Sequence, residues 1–331
     1  MAIEKITDVT VTIDIQNPQP IVGLGNPAIF VQGTVAGYAK YESIETLKKD
    51  FSDTTSVFKK VNTIWNQSNK PRTVAVVTFE EGKIKEAVEN YFYETWHFAM
   101  LADYDAADAL AISNVIEEQK FKFLVVQVAN VSDLAQFDEN DLTIGLVHPT
   151  EQALDAALVG NTASLPVGSV TWKGRTNLAG IKENKLTIAD LNAIHEAGGI
   201  AYVNKAGIPQ TSEGKTVGGE FIDALHGDHW VKSNVESKIQ QLLSNTDKLT
   251  FDSNGIALLT SVVSNVMQTA FVSGIIDMID ETGAGNYSVK SLQRADLDPI
   301  DIARRNYKGL SFTYKRSGAI HTVDVTGTIE V

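Results

Sequence analysis

The feature that most constrains the fold is a regular alternation of strand-like and helix-like segments between residues 73 and 159. Short apolar runs, which are typical of buried strands, alternate with longer segments in which apolar residues recur at helical spacing. Repeated strand–helix–strand units build a mainly parallel sheet covered by helices. The sequence therefore predicts a mixed α/β (α+β) fold. The predicted strands are 73–79, 96–101, 121–128 and 143–147, and the predicted helices are 83–93, 106–119 and 151–159.

The second half of the chain is expected to be more helical. Thr187 and Asp190 have the spacing of a capping box, which predicts a helix that ends at Gly198. Another helix is expected after Asp228, where apolar residues recur at helical spacing. Asp298, which is followed by proline, is expected to begin a short helix.

Residues 253–276 contain no charged side chain, and this stretch is long enough to span a bilayer. Polar residues nevertheless recur along one face and apolar residues along the other, with a period of about 3.6 residues. The pattern favours a long amphipathic helix, ending at residues 282 and 283, in a protein that does not insert into membranes. Its polar face is neutral, unlike that of a solvated helix, and this predicts packing against another surface.

The composition limits the classes of function. The chain has 331 residues, enough for about two domains, and glycine, proline and serine cluster at a predicted boundary near residues 198–214. It has no cysteine, which excludes disulfides, thiolate metal sites and cysteine nucleophiles. The 28 basic and 41 acidic side chains give a formal net charge of −13, which disfavours direct nucleic-acid binding. Residues 1–14 lack the layout of a signal peptide.

Two glycine-containing stretches suggest nucleotide binding, but their spacing does not support it. Residues 214–216 (Gly-Lys-Thr) follow a strand-like segment, yet a phosphate loop needs a glycine where Pro209 stands. Residues 23–25 (Gly-Leu-Gly) are a fragment of a dinucleotide fingerprint that lacks the third glycine. A loop between a terminal strand and the body of the protein is the favoured interpretation of residues 23–25.

The histidines offer weak candidates for metal binding or catalysis. His226 and His229 flank a glycine and an aspartate, but their spacing does not aim two side chains of a helix at one ion. The spacing favours a turn in which Asp228 caps the following helix. The remaining histidines show no serine or aspartate partner pattern of a catalytic triad. They are His97, His148, His195 and His321.

Charge is distributed unevenly along the chain. Residues 123–170 contain six acids and no Lys or Arg, whereas residues 290–316 contain seven bases and three acids. Two solvated surfaces would account for this distribution. So would opposite patches on one subunit that meet head to tail, a contact that builds rings or helical filaments. The acids of the first stretch are Asp133, Asp138, Glu139, Asp141, Glu151 and Asp155, and the bases of the second are Lys290, Arg294, Arg304, Arg305, Lys308, Lys315 and Arg316.

Both ends of the chain have the alternating pattern of strands with one buried face. Residues 310–314 are expected to form a partner strand, joined to the last strand by a turn at residues 315–318. Such strands usually complete the sheet of their own chain. They can also be donated to the sheet edge of a neighbour, where main-chain hydrogen bonds supply affinity. The alternating apolar residues are Val9, Val11, Ile13 and Ile15 at one end and Val323, Val325, Ile329 and Val331 at the other.

Several segments resemble contractile phage tail sheath proteins. Residues 317–329 (SGAIHTVDVTGTI) are similar to the closing segment of that family, and residues 301–305 (DIARR) are similar to the acid-and-arginine helix that precedes it. Two further stretches agree with the family in order and spacing, and together these segments touch most of the chain. They are residues 41–51 with 69–71, and residues 214–219 with 221–223, 226 and 228–230.

The resemblance implies a structural protein that is not an enzyme and has no catalytic, cofactor or metal site. Sheath subunits of this family assemble as a helical cylinder of hexameric rings around a tail tube, and contraction drives the tube through the host envelope. The implied partners are further copies of the chain, the tail tube protein, and the baseplate and tail terminator proteins. The implied location is the phage tail of the virion, after assembly in the host cytoplasm.

The resemblance also implies a division of the chain into four parts. These are an N-terminal strand arm (1–20), a βαβ-rich outer domain (21–205), an inner, tube-facing domain (206–318) and a C-terminal strand arm (319–331). The arms are expected to exchange strands with neighbouring copies. The candidate inter-subunit residues are Val9, Val11, Ile13, Ile15, Arg304, Arg305, Val323, Val325, Ile329 and Val331.

Two other classes of protein remain open. The first is a soluble α/β enzyme with a nucleotide site at residues 214–216 or a metal site at residues 226–229. The second is a different phage tail structural protein, such as a tube or baseplate component. Regular tubes of the purified protein would favour a sheath, whereas a small uniform oligomer would favour an enzyme.

Overall fold

The computed structural model describes residues 23–327, and its centre is a seven-stranded sheet. The strands are β1 (Pro27–Gln32), β2 (Gly37–Tyr41), β3 (Val74–Phe79), β4 (Phe98–Leu101), β5 (Phe123–Val128), β6 (Thr143–Val147) and β7 (Gly199–Ile200). Their order across the sheet is β2-β3-β1-β4-β5-β6-β7. Every neighbouring pair is parallel except β2 with β3. This sheet confirms the predicted mixed α/β fold.

Helices pack against this sheet, and one of them has the predicted bounds. They are α1 (Ile44–Leu47), α2 (Ser56–Trp65), α3 (Ile84–Asn90), α4 (Ala106–Gln119), α5 (Leu154–Thr162) and α6 (Ile188–Glu196). Helix α4 matches the prediction because its ends are encoded locally. The Asp105 carboxylate accepts the Asp108 N–H at its start, and Lys120 ends it in a left-handed conformation (φ 48°).

Two predicted helices have different bounds in the structure. The helix expected at 83–93 ends at Asn90, and the turns that follow place the rings of Phe92 and Trp96 in the core. The helix expected at 151–159 runs instead from Leu154 to Thr162. Because every residue of α5 is buried, this helix has no amphipathic pattern from which its ends could be read.

The central strand β1 has no counterpart among the predicted strands. It lies between β3 and β4, is parallel to both, and buries Ala28, Ile29 and Phe30 completely. It begins at Pro27. Because proline has no N–H to donate to a neighbouring strand, it is tolerated at the first position of a strand and not in its middle. Its central place depends on pairing with segments far along the chain, which no local pattern encodes.

The C-terminal part is built from two long helices and short antiparallel strands. The capping box of Thr187 and Asp190 and the helix after Asp298 are confirmed. A two-stranded sheet, β12 with β13, packs on α8. The elements are β8 (Tyr202–Lys205), β9 (Ile208–Thr211), α7 (Ile222–Asn245), α8 (Ser253–Val272), β10 (Met278–Ile279), β11 (Ala284–Gly285), β12 (Tyr287–Ser291), α9 (Pro299–Ala303) and β13 (Leu310–Tyr314).

The turn predicted at residues 226–229 is wrong, because these residues lie inside α7. Asp228 therefore does not cap a helix, and α7 begins at Ile222. Gly227 serves close packing instead. A Cβ atom at this position would lie 3.0 Å from Cγ2 of Ile275, so the glycine lets the segment after α8 approach α7.

Helix α8 ends ten residues before the predicted position. Gly274 adopts a positive φ of 82° directly after the C-cap, and the chain then turns to bury Ile275 and Ile276. Among the helices of residues 23–327, α8 has the length and apolar character of a membrane span, with a mean hydropathy of 1.5. One of its faces packs on α7, and its neutral face is exposed in the single chain, so packing of that face against another surface stays a prediction.

The hairpin predicted between residues 310–314 and the C-terminal strand is wrong. β13 pairs with β12 in antiparallel register, with Tyr287 opposite Tyr314. The expected turn at residues 315–318 is absent because Lys315 and Ser317 donate their N–H groups to Asn286 and Ile275. Residues 318–327 contain no strand in the described part of the chain.

Within residues 23–327, the hydrophobic interior consists of two clusters that meet at α7. The first surrounds the seven-stranded sheet and extends along the chain to Ile222. The second begins at Val231 and lies between α7, α8 and the β12–β13 sheet. The change of cluster thus occurs within α7. The boundary expected at residues 205 and 206 falls between the paired strands β8 and β9 and stays a prediction.

Candidate inter-subunit surfaces

The sheet formed by β12 and β13 is incomplete within residues 23–327. Its inner side chains, among them Val289 and Phe312, pack on the second cluster, whereas Ser288, Lys290 and Thr313 face outward. No third strand pairs with either outer edge in the described part of the chain. A two-stranded sheet is only marginally stable, and its open edges are templates for further strands. This sheet is therefore a candidate site for strand addition.

An open groove of about 940 Å³ runs beside β13. One wall is the apolar face of α7, with Val235, Ile239 and Leu243, and Leu259 of α8 contributes to the floor. Basic side chains lie at its rim, namely Arg305, Lys308 and Arg316. An extended segment with alternating apolar residues could pack onto the apolar wall while its main chain pairs with β13.

A charged anchor holds the end of β13 against α7. The Asp228 carboxylate accepts hydrogen bonds from the Tyr314 hydroxyl and the Arg316 guanidinium, and Arg316 also lies 3.5 Å from Glu220. The pKa of Tyr314 is raised mainly by burial and, to a smaller extent, by the nearby Asp228 carboxylate. The residue expected to cap a helix thus fixes the point from which the C-terminal segment departs.

Beyond this anchor, Ser317 and His321 contact the body, and residues 322–327 are exposed. His321 Nε2 lies 2.9 Å from Thr171 Oγ1, and its ring packs edge-on against Phe221. Val323 and Val325, two of the candidate interaction residues, are 73% and 87% exposed. The other candidates on the arms lie outside the described residues, namely Val9, Val11, Ile13, Ile15, Ile329 and Val331.

Arg304 and Arg305 lie on the surface directly after α9. Within residues 23–327, neither guanidinium forms an ion pair, whereas Lys308 is paired with Asp301 at 2.8 Å. Arg305 has a left-handed backbone (φ 57°) and lines the rim of the groove. Both side chains are therefore free to bind a carboxylate of another molecule.

The structure reduces the charge asymmetry that is evident in the sequence. Asp155 is buried and pairs with Lys60, so it does not belong to an acidic surface. In the basic stretch, Lys315 and Arg316 are paired with Asp277 and Asp228 of their own chain. The charge left for contacts between copies is smaller than the residue counts suggest.

The geometry of residues 214–216 does not suit a phosphate loop. Lys215 pairs with Phe221 in an isolated antiparallel bridge, and its ammonium lies 4.9 Å from the centre of the Phe221 ring. Thr216 is completely buried. Phosphate loops instead connect a strand to a helix and point free N–H groups outward. The loop interpretation of residues 23–25 is confirmed, since Asn26 donates to Gly23 in a turn before β1.

The structure brings together histidines that the sequence leaves apart. His97 Nε2 lies 3.0 Å from His229 Nδ1, and the ring of His97 stacks on that of His226. His195 has a serine partner, Ser212, at 2.9 Å, contrary to the sequence-based expectation. This pair is not a catalytic site because the Ser212 hydroxyl is completely buried and accepts the N–H of Ala201. Within residues 23–327, no group of three or more potential ligands is arranged to hold a metal ion.

No protein-family model matches the sequence, and no curated protein matches it. Solved structures do match the fold. A chain of the anti-feeding prophage baseplate has a TM-score of 0.74 at 9% identity, over 99% of this chain and 100% of that one. The anti-feeding prophage helical sheath in the contracted state has a TM-score of 0.73 at 10% identity, and the match covers 98% of this chain and 99% of that one. The sheath complex of the extracellular contractile injection system PVC has a TM-score of 0.66 at 8% identity, and the match covers 100% of this chain and 99% of that one. The chain therefore has the mixed α/β fold of a contractile-sheath subunit.

Proposed function

We propose that the chain is a structural subunit of a contractile tail sheath, which polymerises helically around a tail tube and contracts to drive that tube through a host envelope. The observation that carries the proposal is the incomplete β12–β13 sheet beside an open groove, in a chain with the fold of sheath subunits over nearly its whole length. Such a sheet can be completed by strands of neighbouring copies.

The proposed strand donors are the two arms, residues 1–20 and 319–331. Their alternating side chains match the groove, because apolar residues on one side of a strand would face the wall formed by α7. Charge also matches. The C-terminal arm carries Asp324 and Glu330 without any Lys or Arg, and the N-terminal arm carries three acids and one base. Both would meet Arg305 at the rim of the groove, which has no ion-pair partner within residues 23–327.

The proposed domain roles are those that the resemblance to sheath subunits implies. Residues 21–205 would form the outer domain and residues 206–318 the inner domain, which contacts the tail tube. Arg304 and Arg305 would bind acidic groups of neighbouring copies of the chain. The baseplate and the tail terminator would bind the two ends of the helical assembly. The particle would be a phage tail or a related injection machine, assembled in the host cytoplasm.

Electron microscopy and sedimentation of the purified protein test the proposed function. Regular tubes, or rings that stack into tubes, are the expected result. A uniform small oligomer whose thermal stability rises with added nucleotide would overturn it in favour of an enzyme.

A charge placed in the groove is expected to block assembly. Leu243 lies in the last turn of α7, lines the groove and is 36% exposed, so Leu243→Lys should leave the subunit folded. The buried ammonium would oppose docking of an arm, and we expect the concentration needed for assembly to rise about tenfold or more. Ile208→Lys is the matched control, since Ile208 is an exposed apolar residue that does not line the groove. Equal assembly of the two variants would contradict the proposed role of the groove.

Charge reversal at the two free arginines is expected to weaken assembly. With Arg304→Glu and Arg305→Glu together, the purified protein should form about tenfold fewer tubes, because acidic groups of a neighbouring copy would then meet like charges. Electron microscopy provides the count. Lys185→Glu, an exposed reversal on the other part of the chain, is the control. Unchanged assembly of the double variant would show that these arginines do not bind neighbouring copies.

A further inference from the structure

Helix α7 has two different buried faces. The face toward α8 is apolar and includes Val231 and Val235. The opposite face carries buried polar and ionisable side chains, which recur every three or four residues and lie toward the seven-stranded sheet. They are His226, His229, Lys232, Ser233 and Glu236. The contact between α7 and the sheet is therefore much more polar than the contact between α7 and α8.

Three histidines form the centre of this polar contact. His97 immediately precedes β4, and its Nε2 lies 3.0 Å from Nδ1 of His229. His226 donates from Nε2 to the Leu24 carbonyl oxygen at 2.8 Å, and its ring stacks on His97 at 5.3 Å. All three side chains are buried. The hydrogen bond between His97 and His229 and the stacking of His97 on His226 thus help to join α7 to the edge of the sheet where β4 begins.

Apolar rings surround the three imidazoles. Phe121 and Phe123 lie about 5 Å from His97 and His229, and Phe98 packs edge-on against His226. Such surroundings stabilise neutral imidazoles, because a charge buried among aromatic rings loses its hydration.

The charged groups that face the cluster from the neighbouring elements are basic. Before β5, Lys122 faces His97, and its buried ammonium is held by two main-chain oxygens at 2.6 and 3.0 Å. On α7 itself, Lys232 faces His229, and Arg316 faces His229 from the segment after β13. A proton added to His97 or His229 would therefore meet positive charge.

The carboxylates of this region have other partners. Asp228 binds Arg316 and Tyr314 on the opposite side of α7. Burial lowers the pKa of Lys232, and the charge of Glu236, one helical turn away, opposes this by raising it. Glu94 lies half-exposed in an ion pair of 3.8 Å with a lysine of β2. These acids offset neighbouring bases and are not placed to receive a charged imidazole.

Burial is the main cause of the lowered pKa values of these histidines. It lowers the pKa of His226 from 6.5 to about 4, and it lowers those of His97 and His229 well below their usual value, with the neighbouring bases acting in the same direction. A group that binds protons more weakly when buried destabilises the buried state in acid. The closed contact is thus fully stable above about pH 6.5 and loses stability as the pH falls toward the folded-state values.

We propose that His97, His226 and His229 form an acid-sensitive latch, which joins α7 to the sheet at neutral pH and opens when the histidines take up protons. The second cluster, with the β12–β13 sheet and the groove, packs on the other side of α7 and would move with it. The latch belongs to the single subunit, so it does not depend on the proposed function in a sheath.

The absence of cysteine allows a direct test in the full chain. Ser233 lies on the polar face of α7 and is 1% exposed, and Ser233→Cys changes little in size. We expect the labelling rate of this thiol, relative to that of a free cysteine peptide, to rise about tenfold per pH unit below pH 6.5 for each histidine that is protonated on opening. Ser113→Cys, in the completely buried contact of α4 with β6, reports global unfolding and should stay protected.

Variants of the latch separate its titration from other effects of acid. In the Ser233→Cys background, His97→Phe fills the aromatic site without a titrating group, and His229→Gln keeps a hydrogen-bonding group there. Each substitution should make the pH dependence of the labelling rate less steep, by about a factor of ten per pH unit. His148→Gln is the matched control, since His148 is buried outside the cluster and burial lowers its pKa as well. An acid response that is absent, that persists unchanged in both latch variants, or that appears equally at Ser113→Cys would overturn the proposal.

Discussion

Removal of residues 320–331 is expected to abolish assembly into tubes while the subunit stays folded. Residues 320–327 add no strand to their own chain within the described range, and Ile320, Val323 and Val325 are largely exposed. Their loss should cost the isolated subunit little, with a thermal midpoint lowered by only a few degrees. In the assembly, the deletion would remove the strand that a neighbouring β12–β13 sheet would receive. Sedimentation and electron microscopy measure assembly, and circular dichroism measures folding.

The truncation also removes the contact of His321 with Thr171, so this contact needs its own control. The full-length variant His321→Ala removes the hydrogen bond of 2.9 Å and keeps the alternating strand. It should assemble normally. Val323→Ser with Val325→Ser tests the opposite case, because it keeps the main chain and removes the apolar side chains. Tubes formed by the truncated protein would show that the C-terminal arm does not hold the assembly together.

The substitution Asp155→Ala is expected to lower the free energy of unfolding by about 3–5 kcal/mol. Asp155 is almost completely buried, and its Oδ2 accepts a hydrogen bond of 2.5 Å from Lys60 Nζ, which also donates to the Leu101 oxygen at 2.7 Å. The other carboxylate oxygen accepts the N–H of Ala156. Without the carboxylate, the Lys60 ammonium would remain largely buried and uncompensated between α2 and α5. Urea denaturation measures the change.

Two further variants show whether the loss arises from the uncompensated charge. Lys60→Met combined with Asp155→Leu should recover most of the stability, because no buried charge is left. Glu89→Ala removes an exposed pair with Lys85 on α3 and should change the free energy of unfolding by less than about 1 kcal/mol. A loss for Asp155→Ala as small as that for Glu89→Ala would contradict the buried ion pair.

Elements with local signals were predicted well, and elements defined by distant partners were not. The bounds of α4 follow from its capping residues, and the buried strand β6 follows from its apolar run. In contrast, β1 takes the central place in the sheet through pairing with β3 and β4. The pairing of β13 was predicted wrongly, because the alternating pattern identifies a strand without identifying its neighbour.

The candidate site shows the same division. The alternating pattern of the arms and the free arginines 304 and 305 are visible in the sequence. The groove is not, because its walls come from α7, α8 and β13. The contact of His97 with His229 joins residues 132 positions apart, and no spacing rule could have paired them. Asp228 was expected to cap a helix, and its partner Arg316 becomes evident only when β13 packs against α7.

The sequence by itself determined the α/β class, the bounds of α4 and the neutral face of α8, because periodicity and capping act over a few neighbouring residues. Only the tertiary structure decided the order of the sheet, the open edges of β12 and β13, and the burial of three histidines in one contact. These depend on which distant segments meet, since the burial of apolar surface is shared by the whole chain and leaves no local pattern.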